Sequence, residues 1–230
     1  MKCLVTKSII NYEIYGSGFP ILILHSMGTD HRAMSCWLED MFETIQGFQR
    51  IYIDLPAHGN STIEVGFGSS DVMLTSILDF VDKIIPTKMF SLIGFSYGGY
   101  LAQGILQHRK SSIRSICLLA TALHLKDRSL PKKVVFTKDE SFLSLLDNDI
   151  KVAIETLMNY QDKEHIEYFL KEIQPGRFIS NKEFLTFNWR ERLPSFGRTV
   201  SRFGRNYSTS SFPDGKTRLD MWIYRSYFTA

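Results

Sequence analysis

The chain has 230 residues, of which 44% are hydrophobic, and its formal charge is +3. That length fits one domain with room for an insertion, and that apolar share excludes global disorder. So small a net charge argues against a nucleic-acid partner, and no stretch approaches the roughly 20 apolar residues of a membrane span.

The chain opens on short strands in the manner of a β-meander. Ile9 to Tyr15 alternates apolar and polar residues, as a half-buried strand does. Gly16-Ser17-Gly18 reads as a turn, and Pro20 to Leu24 is a continuous apolar run, the pattern of a strand covered on both faces. A helix is expected around Ser35 to Ile45, a buried strand over Arg50 to Asp54, and a helix over Val72 to Ile85. Met89 to Gly94 is a third buried strand, Tyr97 to His108 a helix, and Ile113 to Ala120 a fourth strand. Strands alternating with helices predict a mostly parallel sheet flanked by helices, an α/β fold. This first unit spans residues 1–125. Over residues 126–187 the pattern turns helical. Helices are expected at Asp139 to Leu146, Ile150 to Tyr160 and Lys163 to Ile173, the last stopped by Pro175-Gly176.

Residues 188–230 differ in kind. Up to Trp189 there are 6 Arg and 13 Lys, whereas from Arg190 onward there are 7 Arg and 1 Lys. Ser and Thr crowd this tail, as in Ser208-Thr209-Ser210-Ser211, and apolar periodicity fades. Three widely spaced cysteines, Cys3, Cys36 and Cys117, form no paired framework. With no signal-peptide run after Lys2, they point to a reduced, cytoplasmic setting.

The chemistry-bearing motif is Gly94-Phe95-Ser96-Tyr97-Gly98-Gly99, set between an expected buried strand and an expected helix. A nucleophile elbow needs this context. The serine stands at a turn so tight that its neighbours two residues away must be small, and the following helix N-terminus favours developing negative charge. The loop His25-Ser26-Met27-Gly28 ends another buried strand, and is suited to give a second oxyanion N–H from Met27 beside that of Tyr97. Asp54-Leu55-Pro56-Ala57-His58-Gly59-Asn60-Ser61 reads as a structural loop, with His58 a hydrogen-bonding residue rather than a catalytic base.

Together these three motifs resemble the α/β-hydrolase superfamily, in its lidded serine-hydrolase form. The loop at His25 stands where that family has His-Gly-x-Gly, with Ser26 for the first glycine. Asp54 to Ser61 matches its Asp-x-Pro-Gly-His-Gly-x-Ser segment, with Ala57 for the usual Gly. The resemblance covers about residues 8 to 122, and residues 126–187 resemble the family's helical cap. It implies Ser96 as nucleophile and the Met27 and Tyr97 amides as oxyanion hole. It implies no metal and no cofactor, and a small-molecule ester or related acyl compound as substrate. Oligomeric state is left open.

The same family places an acid and then a histidine after the cap. Of His25, His31, His58, His108, His124 and His165, none follows a last strand, and the tail has no recognisable one. Read one base forward, the codons of Phe212 to Arg218 permit Phe-Leu-Thr-Gly-Arg-Gln-Asp. Met221-Trp222-Ile223 then requires Cys-Gly and permits Tyr. That series resembles the family's catalytic-acid loop and the turn beyond it. The expectation is therefore a hydrolase whose last strands, acid and base are lost to a shift of frame between Phe184 and Phe212, with activity impaired. The alternative is a non-catalytic remnant or binding protein of the same fold.

Overall fold

Apolar runs without a polar face need cover on both sides, and the sheet is built around three of them. The computed structural model describes residues 1–65, 69–86, 89–121 and 132–179, together with the backbone of 221–225. In chain order come β1 (Lys2–Val5), β2 (Ser8–Tyr15), β3 (Phe19–Leu24), α1 (Arg32–Phe42), β4 (Phe48–Ile53), α2 (Ser70–Ile84), β5 (Phe90–Phe95), α3 (Tyr97–His108) and β6 (Ile113–Leu119). The seven-stranded sheet has the order β1-β2-β4-β3-β5-β6-β9, where β9 is Met221–Arg225. Strands β4, β3, β5 and β6 run parallel.

Alternation along each strand divides the core in two. Leu22 and Leu24 of β3, Ile51 and Ile53 of β4, and Phe90 and Leu92 of β5 face one layer with Ile77 and Phe80 of α2 and Leu101 and Ile105 of α3. Ile21, Ile23 and Tyr52 face the other, against Met34 and Leu38 of α1. Leu24 pairs in register with Ile53 on one side and Gly94 on the other. The three central strands therefore end at one level, and the loops that follow them share the carboxyl edge of the sheet.

The element order and mostly parallel sheet agree with the sequence, and α3 has the bounds its spacing predicts. Four details differ. The opening is not a simple meander, because β4 lies between β2 and β3 and pairs antiparallel with β2, Tyr15 opposite Arg50. Helix α1 begins at Arg32, ahead of Ser35, where the Asp30 carboxylate accepts the Arg32 N–H at 3.0 Å. Pro175-Gly176 does not stop a helix. After β7 (Thr137–Lys138), α4 (Glu140–Leu143), α5 (Asn148–Leu157), β8 (Tyr160–Gln161) and α6 (Lys163–Tyr168), a π turn at Phe169–Ile173 leads into α7 (Gln174–Ile179). Pro175 follows directly on the π turn, so the helical run passes through it instead of ending there. Gly176 packs against Asp30, since a Cβ there would stand 2.7 Å from the Asp30 carboxyl carbon and backbone nitrogen.

The fourth difference is in the tail, where no strand was expected. Met221–Arg225 pairs antiparallel with β6, Ile223 opposite Cys117. It thus closes the edge without extending the parallel run. The expected loss of packing past residue 190 otherwise falls on residues outside those described. So do His124, Asp214 and Asp220.

Candidate active site

Ser96 joins β5 directly to α3 with φ +51° and ψ −111°, a region that L-residues avoid. Its own N–H donates to the Leu119 carbonyl at 2.8 Å, tying the turn to the end of β6. The flanking glycines are required by space. A Cβ on Gly94 would lie 2.6 Å from Gly99 Cα, and one on Gly98 would press into the carbonyl oxygens of Leu24 and His25. Alanine at Gly98 gains about 1 kcal/mol of helix propensity, but backbone atoms cannot yield as a side chain would. We expect Gly98→Ala to lose about 3 kcal/mol in urea unfolding. A loss below about 1 kcal/mol would mean that β3 and α3 are not in such close contact.

Ser96 lines a cavity of about 590 Å³. Ser26, Met27, Gly28 and Thr29 form one side, and Leu157, Met158, Phe169, Ile173 and Arg177 of the helical segment form another. Of the predicted site residues, Ser96 and Met27 thus share one cavity. No acceptor among the described residues takes the Met27 N–H. Tyr97 is the first residue of α3. Its side chain turns into the core, with its hydroxyl 2.8 Å from the Ser70 hydroxyl, so only its backbone is available to chemistry at Ser96. Burial pushes its phenol well above the ordinary value.

The His25 loop is held rigidly. Leu55 N–H donates to His25 Nε2 at 2.9 Å, which leaves Nδ1–H to donate to the Ser26 carbonyl at 2.7 Å. His25 is fully buried, and burial depresses its pKa. Next to it, His58 Nδ1–H donates to Pro56 O at 2.9 Å within its own loop. Burial, with the facing His25 ring, pushes the His58 pKa down to about 3.

Asp54 is the hub that sequence reasoning missed. Its carboxylate accepts His31 Nδ1–H at 2.7 Å, His31 N–H at 2.9 Å, Asn11 Nδ2 at 2.9 Å and Asn60 N–H at 2.9 Å. Burial alone would raise its pKa, but these donors outweigh it and hold the carboxyl far below the ordinary range. Asp30, His31 and Asp54 lie close enough to ligate a cation. Their lone pairs are already engaged, however, because Asp30 receives the Arg32 guanidinium and Asp54 the four donors above. The cluster is a hydrogen-bond network joining two loops, not an open donor set.

None of the five described histidines is bonded to Ser96. His25, His31 and His58 are engaged as above, His108 Nδ1 meets Gly104 O at 2.9 Å, and His165 Nδ1 meets Asp162 at 2.8 Å. No helix among the described residues is long and apolar enough to cross a membrane.

A family model described as the alpha/beta hydrolase fold matches residues 20–160. Among solved structures, the chain is similar to an alpha/beta superfamily hydrolase from Oenococcus oeni PSU-1. That match has 24% identity and a TM-score of 0.74, over 87% of this chain and 74% of that one. It is also similar to a carboxylesterase structure from the thaumarchaeon Nitrososphaera gargenis (15% identity, TM-score 0.62, 88% and 75% covered). An esterase from Exiguobacterium antarcticum matches with 18% identity and a TM-score of 0.52, over 84% and 77%. At these identities the likeness speaks for the fold alone. No curated protein matches the chain.

Proposed function

The chain belongs to the α/β-hydrolase fold family, and from that premise we propose that it is a serine hydrolase of small esters or related acyl compounds. The observation that carries this reading is Ser96 at φ +51° on the β5–α3 turn, facing a largely apolar cavity. In this reading Ser96 Oγ bonds to the acyl carbon while a base takes its proton. The Met27 and Tyr97 amides hold the oxyanion, and the leaving alcohol departs with a proton. Water then attacks the acyl-serine and frees the acid. The segment over residues 126–187 acts as a cap that excludes bulk water from the acyl group.

No described histidine is hydrogen-bonded to Ser96, so we assign acid and base to the protein encoded when the tail is read one base forward. The chain as written is then an impaired enzyme. The test is labelling of the frame-restored protein with a serine-directed fluorophosphonate, mapped by mass spectrometry. One label at Ser96, abolished in Ser96→Ala, is expected. A label elsewhere, or one that survives Ser96→Ala, would remove Ser96 from the mechanism.

A further inference from the structure

The cavity around Ser96 is lined by apolar and small polar groups with one exception. Among the described residues Arg177 is its sole ionisable lining residue, and none of their Asp or Glu side chains reaches the wall. Arg177 sits half-buried on α7, its guanidinium 5.8 Å from the centre of the Phe169 ring. The acids that neighbouring elements could offer have other partners. Asp30, against which Gly176 packs, is taken by Arg32, and Glu172 pairs with Lys171 at 2.8 Å. Among the described residues Arg177 has no carboxylate partner, and burial lowers its pKa with no acid acting against it. A guanidinium drawn into an apolar wall without a counter-ion is costly unless something anionic meets it there. Its planar fork suits a carboxylate, and its contact with the Phe169 ring face occupies none of its five N–H donors.

We infer that this pocket takes an ester carrying a second, free carboxylate, which Arg177 holds while the acyl group lies against Ser96. The binding half of this inference is independent of catalysis, and the turnover half rests on the reading of Ser96 given above. Distance from the scissile bond is set by the cavity, so a short dicarboxylate chain is the probe.

Binding is measured by calorimetry on the full chain carrying Ser96→Ala, as written and frame-restored, with monomethyl glutarate against dimethyl glutarate. Turnover is measured on the frame-restored protein with p-nitrophenyl hemiglutarate against p-nitrophenyl pentanoate. The anionic member of each pair should be preferred about ten- to hundredfold. Arg177→Met should bring the preference to parity, and Arg177→Lys should keep part of it, since charge remains but the fork is lost. Melting curves on both variants separate a lost preference from a lost fold, and the wild-type preference decides without either. Equal binding of the two glutarates by the wild-type pocket overturns the inference even if Ser96 labels normally. An Arg177-dependent preference in a chain whose Ser96 never labels upholds the pocket chemistry and sinks the serine-hydrolase reading instead.

Discussion

Inserting or removing one base between codons 185 and 212 is expected to raise turnover of a short-chain aryl ester by about 10⁴- to 10⁶-fold over the chain as written. The β5–Ser96–α3 turn precedes the shift and is common to both proteins, so on the proposed mechanism substrate binding and oxyanion contacts persist. What changes is the fate of the Ser96 proton. A serine hydroxyl without a base stays protonated at neutral pH and attacks slowly. The residual rate comes from the oxyanion amides and from binding alone. Solubility should move the same way. In the chain as written β6 pairs with an antiparallel β9; on the frame-shift reading, the restored tail would instead give the sheet closing strands and a helix. Closing strands and a covering helix would hide apolar surface that otherwise invites association. Steady-state kinetics on the two proteins, with Ser96→Ala of each as baseline, decide the matter. Equal rates above that baseline would show that the base is already present and that the tail is not out of frame in any functional sense.

Asp54→Ala should destabilise the fold by about 3–5 kcal/mol, the largest loss from any single side chain of the site loops. Removing the carboxylate strands two donors from His31 and one each from Asn11 and Asn60. Asp54→Asn, which keeps the shape and one acceptor, should lose less. A loss under 1 kcal/mol for the alanine variant would mean that water replaces the carboxylate, so that the network is not a support.

The same loops set the response to pH. His25 and His58 have depressed pKa values in the folded chain, His58 at about 3. The unfolded chain therefore binds two protons that the folded chain refuses once pH falls below about 6.5. Stability should decline by about 2.7 kcal/mol per pH unit from there, and Asp54, also depressed, adds a third proton below about pH 4. His31 is opposite in sign. Burial works against its charge, but Asp54 outweighs burial and raises its pKa, so its contribution is complete below about 6.5 and fades as pH climbs through the raised value. Urea midpoints across pH 4–8 should peak near neutrality. A flat profile below pH 6 would contradict the buried neutral imidazoles.

The elbow was legible because its requirements are local. A buried strand, small residues at fixed offsets and a helix are all sequence properties, and Gly94, Ser96 and Gly98 had to be where they are. The Asp54 hub was not legible, since its donors come from Asn11, His31 and Asn60, residues far apart whose meeting depends on β4 lying between β2 and β3. Pro175-Gly176 misled because punctuation in a sequence does not say whether glycine ends a helix or lets two backbones approach. Arg177 left no sequence signal at all. An arginine in a polar helix is ordinary until the cavity it borders is known.

The two sides of the cavity belong to different cores, with Met27 and Phe95 packed against the layers of the sheet. Phe169 is anchored with Leu143, Ala153, Ile154 and Ile166 in an apolar cluster of the helical segment alone, apart from the two layers that hold the sheet. Selection can therefore act on them separately. Substitutions at Leu157, Ile173 or Arg177 would alter what the pocket admits without touching the packing that fixes Ser96. A lineage could thus exchange one diet for another while inheriting the same elbow, and distant members would share a backbone long after they had ceased to share a substrate.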